Sequence, residues 1–325
     1  MENSSKYPTV DRVDFVPFID LRLPDAPEKI AAAFKDCGFL MVCSSSLSCH
    51  QRDAALEACR TLLTDPAEIV KVHPTDPKRY KMMSRVDFEI PDARATTLPT
   101  NRSGLSHDPY ATLSSYWSTL QLVKRELLQS LAMGLSLDAR YFIDKHSSDN
   151  DSIRLLQYPA SPGAGNRCKE HSDYGSVTLL TTDGTAGLEI WDDCTGIWMP
   201  VSVPAECVSD GLAVLIVNAG SLLSSWTKGE VRATLHRVAG PASLNSGTSK
   251  DLLREAASVD RYSIAFFVDP DPGVELRNIG DDSAGFLEGV NNIAEYIQWR
   301  CRSNRDGVTF MPAEASRTAV SIAQE

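Results

Sequence analysis

The stretch from Ile153 to Val268 constrains the fold most, because short β-branched and apolar runs alternate there with Gly, Asp, Asn and Pro. Such runs, separated by turn residues, are typical of antiparallel sheets closed into a barrel or sandwich. The run that follows Asp173, for example, is rich in Val, Leu and Thr and stops at Asp183-Gly184, a turn signal. The sequence therefore predicts a mainly β core.

Helices are expected to flank this core. The clearest covers residues 110–135, where Leu113, Trp117, Leu120, Val123, Leu127 and Leu131 keep the spacing of one helical face, which predicts core packing. Further helices are expected over 25–37, 50–71 and 291–302. Residues 1–24 are expected to form an arm with a first strand. Residues 72–109 are expected to form an irregular loop, and residues 241–250 a solvated loop. We expect one structural unit composed of an N-terminal region, 1–110, with helices and a substrate loop, and a catalytic core, 111–325, with its preceding and C-terminal helices.

Composition narrows the functional class. A chain of 325 residues that is 42% hydrophobic can bury a large core. It contains no apolar run of about 18 residues and no basic-then-apolar leader, so neither a membrane span nor secretion is expected. The net charge of −11 argues against nucleic acid or anionic membranes as partners. Eight scattered cysteines without a Cys-x-x-Cys pair predict free thiols. We expect a cytoplasmic protein, a monomer or weak homodimer, that acts on a small molecule.

Two histidines and an aspartate stand out within the β-rich stretch: His171 and Asp173, and later His236. Side chains two apart on a strand point to the same face, so His171 and Asp173 could bind one metal together. Two imidazoles and one carboxylate form the facial triad of non-haem Fe(II) oxygenases, which leaves positions open on iron. Cys168 invites a zinc interpretation, but we favour a loop cysteine near the mouth of the site.

Arg261 and Ser263 follow the second histidine in a strand-like run. An arginine and a serine two apart suit a small anion beside the metal, because the guanidinium can pair with a carboxylate through two hydrogen bonds. A solvated arginine at a strand edge is the alternative when these residues are considered alone. The order of the motifs favours the anion site.

The order of these motifs carries a family resemblance. The segments are Val16-Pro-Phe-Ile-Asp-Leu, Cys37-Gly-Phe-Leu-Met-Val, Ile153-Arg-Leu-Leu-Gln-Tyr-Pro, Val217-Asn-Ala-Gly-Ser-Leu-Leu, Leu235-His-Arg-Val and Arg261-Tyr-Ser-Ile-Ala-Phe-Phe. From about Val16 to about Arg302, the chain resembles the isopenicillin N synthase-like branch of the Fe(II)/2-oxoglutarate-dependent dioxygenases. Among these, it is most similar to fungal and bacterial members that tailor secondary metabolites.

The resemblance implies a double-stranded β-helix (jelly-roll) core with flanking helices. It implies Fe(II) bound by His171, Asp173 and His236, and 2-oxoglutarate whose distal carboxylate is held by Arg261 and Ser263. The other implied cofactors are O2 and ascorbate as a supporting reductant. The implied reaction hydroxylates or oxidatively rearranges a small secondary metabolite, with a polyketide intermediate as our candidate, and releases succinate and CO2.

The residues around this implied centre are less well specified. Tyr158 matches a tyrosine that reaches the cosubstrate or its neighbourhood, although a core aromatic is an equal alternative. The candidate substrate contacts are Tyr80, Arg85, Phe88 and Phe267. The chain also departs from its relatives at three places. Ser221 replaces an Asp after Gly220 and is expected to change a turn hydrogen bond, Leu156 replaces an Asn of plant relatives, and a polar run from Cys43 to Cys49 replaces a familiar Asn-His-Gly.

Two other functions remain open from the sequence. One is an Fe(II) oxidase of the same fold that needs no 2-oxoglutarate, which the Arg261 and Ser263 pair does not exclude. The other is a non-enzymatic or hydrolytic cupin-like barrel that binds zinc. The complete triad together with the arginine and serine pair argues against the second alternative.

Overall fold

The structure is a computed structural model that describes residues 15–64, 81–82, 85–90, 108–147, 150–163, 165–203 and 211–280, and the separate positions 290, 292, 293, 295, 296 and 299. For 81–82 and 85–90 it describes the backbone alone. The strands are β1 Phe18–Asp20, β2 Phe39–Ser48, β3 Lys81–Met82, β4 Arg85–Ile90, β5 Ser152–Tyr158, β6 Cys168–His171, β7 Val177–Thr182, β8 Leu188–Asp192, β9 Ile197–Pro200, β10 Leu212–Ala219, β11 His236–Val238 and β12 Arg261–Val268. The helices are α1 Ala26–Asp36, α2 Cys49–Thr64, α3 Pro109–Gly134, α4 Ser221–Trp226 and α5 Lys250–Ala257, with a 3-10 turn at Ile143–Lys145.

Two sheets pack against each other. The larger sheet has the strand order β1-β2-β10-β7-β12-β5-β4-β3, and the smaller has the order β6-β11-β8-β9. Strand β1 joins β2 in parallel, whereas the other pairs are antiparallel. Apolar side chains from both sheets meet between them, such as Met41 and Ile216 from the larger sheet with Ile190 from the smaller. The predicted jelly-roll core with flanking helices is confirmed.

The two faces of the larger sheet serve different purposes. Because strand side chains alternate, Tyr262, Ile264 and Phe266 of β12 pack with α1, α2 and α3 in the main hydrophobic core. The Trp117 and Phe266 rings, for example, meet edge to face with centroids 5.0 Å apart. The intervening Arg261 and Ser263 therefore occupy the opposite face, toward the smaller sheet. Helix packing on one face thus leaves the other free to build a site.

Helices α1 and α3 confirm the predictions over 25–37 and 110–135, because the predicted and observed ends differ by no more than a residue or two. The Asp108 carboxylate accepts a hydrogen bond from the Tyr110 amide at 2.9 Å and so caps the start of α3. The helix predicted over 50–71 corresponds to α2, and residues 65–71 lie outside the described part. Of the helix predicted over 291–302, positions 293, 295, 296 and 299 are helical, and Ile293 and Tyr296 are buried.

Three expectations need correction. The 72–109 stretch is not irregular throughout, because β4 pairs with β5 along its length, and the alternation of charged and apolar residues from Arg85 to Ile90 was the missed strand signal. Within the 153–268 stretch, α4 and α5 are helices that were not predicted from the sequence. The 241–250 loop is not simply solvated, because Ser243 and Thr248 are buried and the Thr248 hydroxyl donates to Glu189 at 2.7 Å.

No helix in the described residues is both long and apolar enough to cross a membrane. The six cysteines among these residues (Cys37, Cys43, Cys49, Cys59, Cys168 and Cys194) are free thiols, as the sequence predicted.

Candidate metal and cosubstrate site

Two histidines face each other across adjacent strands of the smaller sheet. The antiparallel register of β6 and β11 pairs His171 directly with His236. Directly opposed residues project to the same side of a sheet, and here the ring centroids are 4.2 Å apart. Phe39 of the larger sheet packs edge to face on His236 at 5.5 Å. Strand pairing and intersheet packing thus position both imidazoles.

Asp173 completes the cluster from a loop. Its Oδ1 atom lies 3.8 Å from Nε2 of His171 and 3.7 Å from Nε2 of His236. One ligand atom from each of the three residues can be chosen so that all lie within 4.8 Å of one another. Strand β6 ends at His171, so Asp173 is not on the strand and strand alternation does not place it beside His171. The loop that follows the strand brings it there.

Backbone and side-chain hydrogen bonds orient all three groups. The Nδ1 atoms of His171 and His236 lie 2.7 Å and 3.3 Å from the carbonyl oxygens of Lys169 and Thr234. Donation from Nδ1 to these carbonyls makes Nε2 the nitrogen that would bind a metal in each ring. The sequence analysis missed these partners because backbone carbonyls carry no sequence signal.

The second oxygen of Asp173 is held separately. Its Oδ2 accepts hydrogen bonds from Thr178 Oγ1 at 2.5 Å and from Asn218 Nδ2 at 2.8 Å. Oδ1 is thereby turned toward the histidines. The sequence analysis assigned no role to either residue, although Asn218 is a lone amide inside the apolar strand β10, where a buried polar group requires a partner.

The titration behaviour suits a divalent cation. Burial would raise the pKa of Asp173, but His236, His171, Asn218 and Thr178 together hold it below its usual value, so the group is a carboxylate. Burial, and then His171, lower the pKa of His236 to about 4, so that imidazole is neutral. For His171 the opposing effect of burial is outweighed by Cys168 and Asp173, which raise its pKa to about 9. Metal binding would therefore displace a proton from His171.

The turn after β10 supports the loop that carries Asp173. The amides of Gly220, Ser221 and Leu222 donate to the carbonyls of Ser176, Asp173 and Tyr174 at 2.9, 2.8 and 3.0 Å. The Ser221 hydroxyl donates to the Tyr174 carbonyl at 3.3 Å and accepts from the Tyr296 hydroxyl at 3.0 Å. Serine at this position therefore links the metal loop to the C-terminal segment.

Arg261 lies on the facing sheet as a buried cation. It is 1% exposed; its Nε donates to the Thr185 carbonyl at 3.1 Å and its Nη1 to Ser263 Oγ at 3.4 Å. The guanidinium carbon lies 5.2 Å from the centre of the Tyr158 ring, and the register pairs the two residues. No carboxylate in the described part of the chain forms an ion pair with this guanidinium. Since an unpaired buried charge is costly, the arrangement fits a carboxylate ligand at Arg261 and Ser263.

The proposed substrate contacts differ in placement. Phe267 shares a face of β12 with Arg261 and Ser263 and is half-buried, and the Arg154 guanidinium lies 5.2 Å from its ring centre. Tyr80 lies outside the described residues. Phe88 lies in β4, where the register pairs it with Leu155 of β5. Arg85 is the first residue of β4, two positions before Asp87, which pairs with Leu156.

Leu156 and Tyr158 line an apolar wall between the sheets. They form a buried cluster with Val238 and Ala265, against which Cys168, Leu180 and Phe267 pack. Leu156 therefore offers only hydrocarbon where plant relatives carry an amide. Cys168 is the first residue of β6, not a loop residue, and its Sγ lies 4.0 Å from Nδ1 of His171, outside the three-residue cluster.

Comparison with known proteins places these residues in context. The family model of the 2OG-Fe(II) oxygenase superfamily matches residues 141–270. The 2-oxoglutarate-dependent dioxygenase gloF of Glarea lozoyensis is 34% identical over 194 residues, covering 57% of this chain and 56% of that protein. The proline hydroxylase buaE of Petromyces alliaceus is 32% identical over 176 residues, covering 52% and 50%. The chain thus spans about half the length of these curated relatives.

Solved structures agree on the fold. The dioxygenase for auxin oxidation 1 from Arabidopsis thaliana, in a binary complex with 2-oxoglutarate, superposes with a TM-score of 0.62 at 19% identity, over 79% of this chain and 93% of that one. JOX2 in complex with 2OG, Fe and JA gives 0.65 at 20% identity, over 88% and 84%. The three clustered residues and the Arg261–Ser263 pair all lie within residues 141–270, the part of the chain that is similar to the 2OG-Fe(II) oxygenase superfamily.

Proposed function

We propose that this protein is an Fe(II)- and 2-oxoglutarate-dependent non-haem oxygenase. It hydroxylates or oxidatively rearranges a small organic molecule and releases succinate and CO2. The observation that carries the proposal is a preorganised two-histidine, one-carboxylate cluster facing a buried arginine that has no carboxylate partner in the described part of the chain. A divalent metal and a dianionic cosubstrate together would satisfy both.

The residues divide the work between two sheets. His171, Asp173 and His236 would hold Fe(II), which supplies O2 activation coupled to oxidative decarboxylation of the 2-oxo acid. Arg261 and Ser263 bind the distal carboxylate and set the orientation of the cosubstrate, with Tyr158 beside them. The wall that includes Leu156 and Ala265 excludes water from the space between the sheets, which strengthens the electrostatic contacts there.

The substrate is proposed to be a secondary metabolite, with an apolar or aromatic polyketide intermediate as the candidate. The fungal relatives named 2-oxoglutarate-dependent dioxygenases support this choice. Phe267, with Arg154 beside it, would contact the substrate. Tyr80, Arg85 and Phe88 would add contacts from the 72–109 region. We place the enzyme in the cytosol as a monomer or weak homodimer, with ascorbate as a supporting reductant. The 1–110 and 111–325 regions form one unit in this proposal, since β1–β4 share the larger sheet with β5, β7, β10 and β12.

The first test measures succinate release and O2 uptake across a panel of metabolites, with Arg261→Ala as the probe. Loss of a charge-assisted bidentate contact to a buried carboxylate costs about 2–3 kcal/mol, so apparent 2-oxoglutarate affinity should fall about 100-fold. Arg254→Ala is the matched control, because Arg254 is an exposed arginine paired with Asp251. Activity that never requires 2-oxoglutarate would instead support the iron oxidase of the same fold.

The second test removes the ligand set. His171→Ala, Asp173→Ala and His236→Ala should each abolish turnover and stoichiometric Fe(II) binding while changing Tm little, because strand pairing and core packing do not need the metal. His50→Ala, at an exposed position, is the control and should behave as wild type. Normal activity in any of the three ligand variants would exclude this assignment. Function with zinc but not with iron would favour the zinc-binding barrel.

A further inference from the structure

A second arginine, Arg167, is buried beside the proposed cosubstrate clamp. It precedes β6 and is 1% exposed. No carboxylate within the described ranges lies at ion-pairing distance from it. Its backbone amide donates to the Val238 carbonyl at 2.7 Å, which ties this position to β11, the strand that carries His236.

The Arg167 side chain donates instead to four backbone carbonyls. Nη2 donates to Tyr158, to Pro159 at 3.1 Å and to Val259 at 3.2 Å, and Nη1 donates to Ala256 at 3.2 Å. The first two carbonyls lie at the end of β5, and the other two lie at the end of α5 and in the turn that enters β12. One guanidinium therefore joins the segment carrying Tyr158 to the segment leading into Arg261.

This arrangement is not the one that stability alone would select. Arg167 Nε is buried without a hydrogen-bond partner, and burial followed by repulsion from Arg261 lowers the pKa of Arg167. Two buried cations thus lie close to Tyr158. Asp260 and Asp183 attract Arg167 from a distance, but no carboxylate of the described residues forms an ion pair with either arginine. Sites that break the usual rules of charge pairing are commonly functional, and an anionic ligand between the sheets would offset the cost.

We propose that Arg167 is a positioning residue for the cosubstrate: it holds the ends of β5 and the entry to β12 so that Arg261 is preset to bind a distal carboxylate. Arg167 does not touch the ligand itself. The clamp that it positions prefers a dicarboxylate to a monocarboxylate 2-oxo acid. The inference rests on the proposed function, in which that dicarboxylate is 2-oxoglutarate.

The test compares two ligands on anaerobic, Fe(II)-loaded protein by calorimetric titration. 2-Oxoglutarate and 2-oxobutyrate share the 2-oxo acid group, but only the first has a distal carboxylate. Wild type should prefer 2-oxoglutarate about 100-fold, and Arg167→Met should reduce that preference about tenfold. Added to Arg261→Ala, Arg167→Met should cause no further loss, because Arg167 acts on the carboxylate only through Arg261.

Two further variants keep the test decisive. Arg167→Lys retains the charge but cannot reach four carbonyls at once, so its preference should fall between those of wild type and Arg167→Met; it also serves if Arg167→Met fails to fold. Lys124→Met removes another buried cation, ion-paired to Asp151 in the main core, and should lower stability without changing the preference.

Four results would overturn the inference. A wild-type preference retained in both Arg167 variants would show that the residue does not act on the clamp. Equal weakening of both ligands together with lower Tm would show a structural role only. If wild type shows no preference for 2-oxoglutarate, the proposed cosubstrate is wrong as well. If Arg261→Ala removes the preference and Arg167→Met leaves it intact, only the inference about Arg167 is wrong.

Discussion

Asp173 uses its two carboxylate oxygens for different purposes. Oδ1 faces the two imidazoles, whereas Oδ2 accepts hydrogen bonds from Thr178 and Asn218. A carboxylate held in this way binds a metal through one oxygen and cannot rotate to offer both. The partners of a ligand therefore decide its denticity as much as the ligand does.

Asn218→Ala should weaken metal binding about 10- to 100-fold, because hydrogen-bond partners of metal ligands contribute on that scale. The measurement is a titration of the apoprotein with Fe(II) or Co(II) under anaerobic conditions. Asn150→Ala is the matched control: its side chain donates to the Pro270 carbonyl at 2.9 Å, away from the cluster. Unchanged metal affinity in Asn218→Ala would contradict the role assigned to this amide.

At this scale the sequence identified ligand candidates but not what orients them. His171, Asp173 and His236 stand out because their residue types and order match a chemistry. The backbone carbonyls of Lys169 and Thr234 would be present whatever the side chain at these positions, so the sequence does not identify them as partners. Asn218 could have been found, since a lone amide in an apolar strand needs a partner.

The turn from β10 into α4 is the element that fixes the metal loop. Its three amides donate to carbonyls between Asp173 and Ser176. The approach is so close that a Cβ atom at Gly220 would lie 2.1 Å from the Gly175 carbonyl oxygen. Glycine is required at this position because of backbone proximity, since its own φ of −93° suits any residue.

Gly220→Ala should therefore push the turn away from the loop and lower both Tm and metal affinity. Displacement of a packed backbone costs about 1–3 kcal/mol or more, as other overpacking substitutions do. Gly273→Ala is the control, because a Cβ there meets no atom within 4 Å. Thermal unfolding and metal titration of both variants give the comparison. Equal behaviour of the two alanine variants would argue against a structural role for this contact.

Element boundaries were predicted well where one periodicity dominated. Helix α3 keeps a long apolar stripe, and its limits were found within a residue. Strand β4 alternates charged and apolar residues but sits in a stretch rich in Pro and Asp, and that composition concealed it. Helix α5 is only eight residues long; its buried Leu253, Ala256 and Ala257 do keep helical spacing, but this short signal lies within a stretch dominated by strands. Strand β11, which begins at His236, has only three residues, and it forms because it pairs with β6 and β8.

The molecule as a whole should be sensitive to acid through a buried histidine outside the metal cluster. His146 lies between α3 and the barrel, with Nδ1 2.6 Å from the Phe142 carbonyl and Nε2 2.9 Å from Ser176 Oγ. Burial lowers its pKa to about 3, and Lys124 and Lys145 add to this effect. The folded protein therefore keeps His146 neutral while the unfolded chain protonates it near pH 6.5.

The free energy of unfolding should consequently be highest above pH 6.5 and fall as the pH decreases toward 3, by up to about 1.4 kcal/mol per pH unit from this group. His146→Asn is expected to be less stable at pH 7 but to lose less stability on acidification. Urea unfolding at pH 7, 6 and 5 measures both slopes. Parallel slopes for the two proteins would show that His146 does not titrate on unfolding.

The jelly-roll architecture was predictable because the motifs of a known fold occur along this chain in the right order. The alternation of strand-like runs and turn residues by itself predicted only a mainly β core. The site between the sheets depends on which residues alternate toward the interior, and register decides that. Phe88 illustrates the limit: its residue type suggested a substrate contact from an irregular loop, whereas the structure shows that it belongs to β4 and pairs with Leu155. Alternation within β4 was visible in the sequence, but its partner strand was not.

The pairing of His171 with His236 has a consequence for folding kinetics. Strands β7 to β10 lie between these two neighbours in the chain, so their contact is a long-range one that loop-closure entropy opposes. The two imidazoles come together only after the chain has crossed repeatedly between the sheets. Metal capture would therefore be a late event in the maturation of the nascent chain, and the rate of metal uptake during refolding would report on completion of the barrel.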